Sequence, residues 1–115
     1  MRASGQVLKV TIAAGQTASD IVDLMNTHVV GIQTPAALTG TALSFKGALT
    51  KGASTVVVTK SDGTTNTAVT MPMAANLLYA PVGALREALL GVRYLQLVSG
   101  TTEVAERVFL IVLGD

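Results

Sequence analysis

The chain's one histidine, His28, follows two carboxylates, Asp20 and Asp23, and this is the first place to look for acid/base or metal chemistry. A metal centre needs three or four converging ligands, and here no second His and no Cys completes a set. His28 is therefore read as an ordinary strand-end or surface histidine. The acids Asp20, Asp23, Asp62, Glu87, Glu103, Glu106 and Asp115 contain no spacing that selects a carboxylate pair for glycoside hydrolysis. Sugar-gripping aromatics are scarce as well, since Phe45, Tyr79, Tyr94 and Phe109 are the full set and Trp is absent.

Ser61-Asp62-Gly63-Thr64 resembles the start of a calcium loop, but Thr64, Asn66 and Ala68 stand where further ligands belong, so the segment reads as a turn. Gly40, Gly47 and Gly52 fit no phosphate-cradling motif, and no Gly-x-Ser-x-Gly elbow presents a serine nucleophile. Zero cysteines exclude disulfides, thiolate zinc sites and thiol catalysis. The expectation is a chain that is not an enzyme and carries no metal or cofactor. Opposite charges crowd only at Arg86-Glu87 and at Glu103, Glu106 and Arg107. These read as solvated salt-bridge faces worth about 0 to 1 kcal/mol per pair, or alternatively as groups that orient one subunit on another.

The elements that would carry these residues are mostly strands. Leu8, Val10 and Ile12 alternate with Lys9 and Thr11, and Leu43 and Phe45 alternate with Ser44 and Lys46, the two-residue period of half-buried strands. Ser19 to Leu24 is read as a strand, although Ser19 or Asp20 could cap a short helix. His28 to Gln33 is a strand that must stop before Pro35. Ser54 to Lys60 and Thr67 to Met71 read as two arms of a hairpin turning at Asp62-Gly63. Leu77 to Tyr79 could add a short strand. Pro81 to Leu90 reads as a short helix, with Leu85 and Leu89 four apart and Gly91 beyond its end. Gly91 to Val98 and Arg107 to Leu113 supply the last strands, and the second, apolar on both faces, belongs in the middle of a sheet.

The 115 residues then form one domain, 1-115, with a short N-terminal arm at 1-5. The fold class expected is all-β: a two-layer antiparallel β-sandwich, jelly-roll-like, of about eight strands with one short helix near 82-90. Charged residues make up 13% of the chain against 50% hydrophobic, and the net charge is +1 with no basic cluster. Such a surface excludes nucleic acid as a partner and suits burial in protein contacts. No apolar run is long enough to span a membrane, and no apolar leader follows the start, so a soluble protein made in a cytoplasm is expected.

Three stretches together resemble a family. They are Val10-Thr11-Ile12-Ala13-Ala14-Gly15-Gln16-Thr17-Ala18-Ser19-Asp20; Val30-Gly31-Ile32-Gln33-Thr34-Pro35-Ala36-Ala37-Leu38-Thr39 with Leu43-Ser44-Phe45; and Gly91-Val92-Arg93-Tyr94-Leu95-Gln96-Leu97-Val98-Ser99-Gly100-Thr101. In this order they resemble small β-sandwich virion structural proteins of tailed phages, over nearly the whole chain. The resemblance implies a capsid decoration or cement protein, a homotrimer on the outer capsid surface of the virion, synthesised in the host cytoplasm, whose partners are its own copies and the major capsid protein. A neck, tail or baseplate component and a carbohydrate-binding host-attachment module are the alternatives. Assembly contacts are expected in the start, the 35-40 segment and the 73-81 segment, because loops on a rigid scaffold carry recognition. The residues singled out are Met1, Arg2, Ser4, Pro35, Leu38, Met73 and Asn76, with Arg86 and Glu106 as charged contacts.

Overall fold

The computed structural model describes residues 6–61 and 63–114. Its elements in chain order are β1 (Val7–Ile12), β2 (Ala18–Asp23), β3 (His28–Gln33), β4 (Ala42–Ala48), β5 (Val56–Val57), β6 (Thr59–Ser61), β7 (Asn66–Ala68), β8 (Thr70–Pro72), β9 (Leu78–Tyr79), α1 (Gly83–Leu90), β10 (Tyr94–Ser99) and β11 (Arg107–Gly114). The all-β class with one short helix is as expected. The arm at 1-5 and the Asp62 turn position lie outside the described residues.

Nine strands make one antiparallel sheet in the order β5-β4-β10-β2-β1-β11-β3-β9, with β8 also paired to β4, and the sheet curls into a half-barrel. The walls expected as two layers are thus halves of a single sheet that share β2. Along the long strands the buried residues alternate, as Val10 and Ile12 on β1, Leu43 and Phe45 on β4, Leu95 and Leu97 on β10, and Phe109, Ile111 and Leu113 on β11. They meet in one core cluster with Leu24, Ile32, Met71, Met73 and Leu89. The apolar run at the end of the chain is central, between β1 and β3.

At β2 the sheet turns its corner. β2 meets β1 at the pair Ile12 and Ser19, while its pairing with β10 slips in register between Gln96 and Val98. A slip of this kind leaves ladder groups without backbone partners and bends the strand. Side chains fill the gaps. The Leu97 N–H donates to Ser19 Oγ at 2.9 Å, and the Ser19 hydroxyl donates onward to the Asp20 carbonyl at 2.7 Å. The Gln96 amide donates to the Ser19 carbonyl at 2.7 Å, and the Thr11 N–H donates to the Asp20 carboxylate at 2.8 Å. Ser19 and Asp20 therefore patch a bent strand and cap no helix.

The expected hairpin is divided. β5 and β8 both pair with β4, while β6 and β7 pair only with each other and form an exposed tip. Val58 and Val69 are where the arms break, because their side chains turn inward, Val69 to near-complete burial, while the Val58 N–H donates to the Phe45 carbonyl at 2.9 Å. The helix starts later than the sequence suggests. Val82 is its N-cap in an extended conformation, with no side-chain cap, and Pro81 is buried outside it. Leu85 and Leu89 point inward as their spacing predicts.

Candidate functional site

Glu103 is the buried ionisable group around which one end of the half-barrel is organised. Its side chain is 0% exposed, and four donors surround the carboxylate. Oε1 accepts the Thr39 N–H at 2.8 Å and Arg107 Nε at 3.0 Å. Oε2 accepts the Gly40 N–H at 2.9 Å and the Ser99 hydroxyl at 2.7 Å. The Glu103 backbone is equally committed, its N–H donating to the Gln16 carbonyl at 3.0 Å and its carbonyl accepting from the Gly15 N–H at 2.8 Å. One residue thus joins the loops 13–17, 34–41 and 100–106.

The elements place these groups without strain. Ser99 ends β10 and Arg107 begins β11, so Glu103 sits four residues from each, in the connection that must return over the core. Gly40 is required by close approach, since a Cβ there would fall on the Ser99 hydroxyl and lie 3.1 Å from Glu103 Oε2. Burial pushes the Glu103 carboxyl up, but the hydrogen bonds from Thr39, Ser99, Gly40 and Arg107 outweigh it and bring the pKa down to about 2. A carboxylate with every lone-pair direction occupied has no capacity left for a proton or substrate, so this is a structural clasp.

A fourth loop, 73–77, joins the same end through Thr34. The Thr34 N–H donates to the Leu77 carbonyl at 2.9 Å, its hydroxyl donates to the Ala74 carbonyl at 2.7 Å, and it accepts the Leu77 N–H at 3.0 Å. The Asn76 N–H donates to the Pro35 carbonyl at 2.8 Å, with Asn76 itself at positive φ. Of the contact residues expected from sequence, the structure therefore brings Pro35, Leu38, Met73, Asn76 and Glu106 to one end of the barrel. Asn76 and Glu106 are exposed there, Pro35 is half-buried, and Leu38 packs partly against the core. Met73 belongs to the core, which leaves its side chain little surface to offer. Arg86 is exposed on α1, apart from that group, and Met1, Arg2 and Ser4 lie outside the described residues.

The expectation for Glu103 and Arg107 as a solvated charge face is overturned. Arg107 is only 13% exposed and Glu103 fully buried, so the pair works in low dielectric with its hydrogen bonds complete. What hid the clasp is that two of its four donors, the Thr39 and Gly40 N–H groups, lie 64 and 63 residues away in the chain. The one local trace was the spacing of Ser99, Glu103 and Arg107 at four-residue steps.

At the opposite end, Asp23 and Arg93 pair at 2.7 and 3.3 Å, and the Arg93 guanidinium lies 5.3 Å from the centre of the Tyr94 ring. The Arg93 hydrogen bond and the Met25 N–H hold the Asp23 carboxyl below its usual range, and the Asp23 contact raises Arg93. Asp20 is committed to Thr11 and Asp23 to Arg93, so His28 gains no carboxylate partner from either. Among the described residues, no group of three His, Asp or Glu side chains could hold a metal ion.

The outer face of the sheet is the remaining feature. The register aligns Val7 with Val112 and Gly31, Lys9 with Leu110 and Gln33, and Thr11 with Val108. β11 therefore turns Val108, Leu110 and Val112 outward, opposite its buried face. Leu78, 67% exposed on β9, lies over Gly31, where an added Cβ would be 3.5 Å from Leu78 Cδ1 and 3.4 Å from Val112 Cβ. Val7 and Val30 extend this stripe with large exposed side chains. A second apolar groove of about 360 Å³ lies beside β5, between Val56, Ala48 and Val92. A more polar groove of about 620 Å³ separates the β6–β7 tip from α1, lined by Lys60, Thr67 and Glu87.

Fold and site together define an all-β domain whose loops at one end are tied together by hydrogen bonds and whose central strand β11 is apolar on its outer face. The chain matches no protein-family model, no curated protein and no solved structure.

Proposed function

We propose that the chain is a non-enzymatic virion structural protein of the capsid decoration or cement kind, which joins its own copies as a trimer and binds the outer capsid lattice. The observation that carries this reading is the outward face of β11. Val108, Leu110 and Val112 alternate with three fully buried residues, so a central strand is apolar on both sides. A one-layer sheet wall meant for water carries polar residues on its outer face. An apolar outer face is stabilised by contact with another protein surface.

The size of the patch indicates what kind of contact. Three strands about 4.8 Å apart and roughly 20 Å long, β1, β11 and β3, give a face of at most roughly 300 Å², part of which is held by Lys9, Thr11 and Gln33. A stable isolated pair buries about 800 Å² per partner. One such patch per neighbour supports association by several modest contacts that reinforce each other on a lattice. A low share of charged residues, 13%, reduces the desolvation penalty of those contacts.

Two measurements test the reading. Quantitative mass spectrometry of purified virions is expected to find the chain at a copy number on the scale of the capsid lattice. Sedimentation velocity is expected to show concentration-dependent association that Leu78→Lys abolishes. A chain missing from virions, and monomeric at every concentration, refutes the proposal.

A further inference from the structure

The two ends of the half-barrel differ in what docking would require of them. At the Glu103 end, four loops are already tied to one another by a buried carboxylate and by Thr34. Beside the longer Gln16, Asn76 and Leu77, many of their exposed residues are short, including Ala14, Ala36, Ala37, Thr101 and Val104, the last 75% exposed. Side chains of this size lose little rotamer freedom on contact, and loops fixed in advance lose little backbone freedom. The charge there is confined. Glu103 and Arg107 neutralise each other inside the structure, which leaves Glu106 exposed at the tip and Asp20 hydrogen-bonded nearby. The opposite end carries Asp23, Arg93 and Lys51, whose charges must be desolvated or matched by any surface that covers them.

We infer that the loop end clasped by Glu103 is the face that docks on the capsid lattice, and that the lattice surface it meets is a protein surface low in charge. The inference rests on the capsid-binding function proposed above. It separates two roles by surface: the outer face of β11 joins copies, and the loop end grips the shell. Val104, 75% exposed on the 100–106 loop, is the apolar contact, and the exposed Ala37 is the close-approach residue on the 34–41 loop, which Thr39 joins to the Val104 N–H. The Glu103 clasp is a positioning device that never touches the partner.

The test uses capsid shells purified from particles lacking this chain, to which the full-length chain is added and co-sedimented. Val104→Asp and Ala37→Asp are expected to raise the concentration for half-saturation at least tenfold, and Lys51→Glu at the other end to leave it within twofold. All three positions are exposed, and unfolding midpoints matching the unmodified chain check that each variant is folded. Hydrogen exchange on the unmodified chain provides an arm that needs no variant, with bound shells expected to slow exchange in 13–17, 36–41 and 100–106. Unmodified chain that fails to bind shells refutes the capsid-binding function itself. Binding that survives both loop variants, or slowed exchange confined to the opposite end, overturns the assignment of the docking face while that function stands.

Discussion

Replacing Glu103 by Gln keeps the shape of the side chain and removes its charge, and the consequences can be worked from the four donors around it. A Gln amide offers one oxygen and one NH2 group. Whichever way it is turned, the NH2 faces a backbone N–H, of Thr39 on one side or of Gly40 on the other. A buried donor left without an acceptor costs about 1 to 3 kcal/mol, and breaking a buried ion pair by removing one partner costs about 3 to 5 kcal/mol. Linkage gives an independent figure. The carboxyl drops from an ordinary 4.5 to about 2 on folding. At about 1.4 kcal/mol per pH unit, that difference contributes roughly 3 kcal/mol. Since the folded value is the lower one, the contribution is fully present above pH 4.5 and is lost as pH falls from there through about 2. Urea unfolding followed by circular dichroism is therefore expected to show Glu103→Gln less stable by about 3 kcal/mol at pH 7. The gap between the two proteins should narrow steadily below pH 4.5. A difference under about 1 kcal/mol at pH 7, the size of an exposed pair, would refute the clasp. So would a gap that stays constant down to pH 2.

Further expectations concern single positions. Gly40→Ala forces a methyl group onto the Ser99 hydroxyl and should destabilise by about 1 to 3 kcal/mol in the same urea assay, with the loop end losing hydrogen-exchange protection first. Met25 and Asn26 occupy the left-handed region at φ 53° and 62°, so Met25→Asn should stabilise by a few tenths to about 1 kcal/mol, read as a higher unfolding midpoint. Asp23→Asn removes a half-exposed pair, and its small effect on the unfolding midpoint should vanish in concentrated salt, unlike that of Glu103→Gln.

The parts of the fold legible in the sequence are those fixed by local pattern. Leu8 to Ile12 and Leu43 to Lys46 alternate, and their strands fall where that alternation puts them, whereas His28–Gln33, in which Gly31 and Ile32 are both buried, is marked by its β-branched residues and by Pro35 beyond its end. The central place of Arg107–Gly114 follows from its being apolar on both faces. The hairpin between Ser54 and Met71 reads as two continuous arms because β-branched residues do not reveal that Val58 and Val69 must turn inward. The corner at β2 is invisible for a similar reason. Ser19 and Asp20 look like a helix cap to a local reading, and only the long-range register of β10 assigns them to ladder repair. In the candidate site, the 35–40 and 73–81 segments and the single residue Glu106 are singled out by the sequence, but their convergence at one end of the barrel is not. The sequence shows Glu103 beside Arg107 but not its burial. The Thr39 and Gly40 backbones that satisfy its carboxylate are 64 and 63 residues away, and only the four-residue steps to Ser99 and Arg107 leave a mark in the sequence.

The hairpin that divides into β5, β8 and an outlying tip has a further consequence. The edges of the curled sheet are β5, β8 and β9, with two, three and two residues. β4, a seven-residue strand, is covered along its outer side by β5 and β8 in succession, and α1 packs against β3 beside β9. An exposed strand several residues long is a template on which another chain can add by backbone hydrogen bonds, and native sheets shorten or cover such strands to prevent it. Here no described edge is long enough to nucleate that growth. A protein with so few repelling charges can then be concentrated to high density, side chain against side chain, without passing into fibrils.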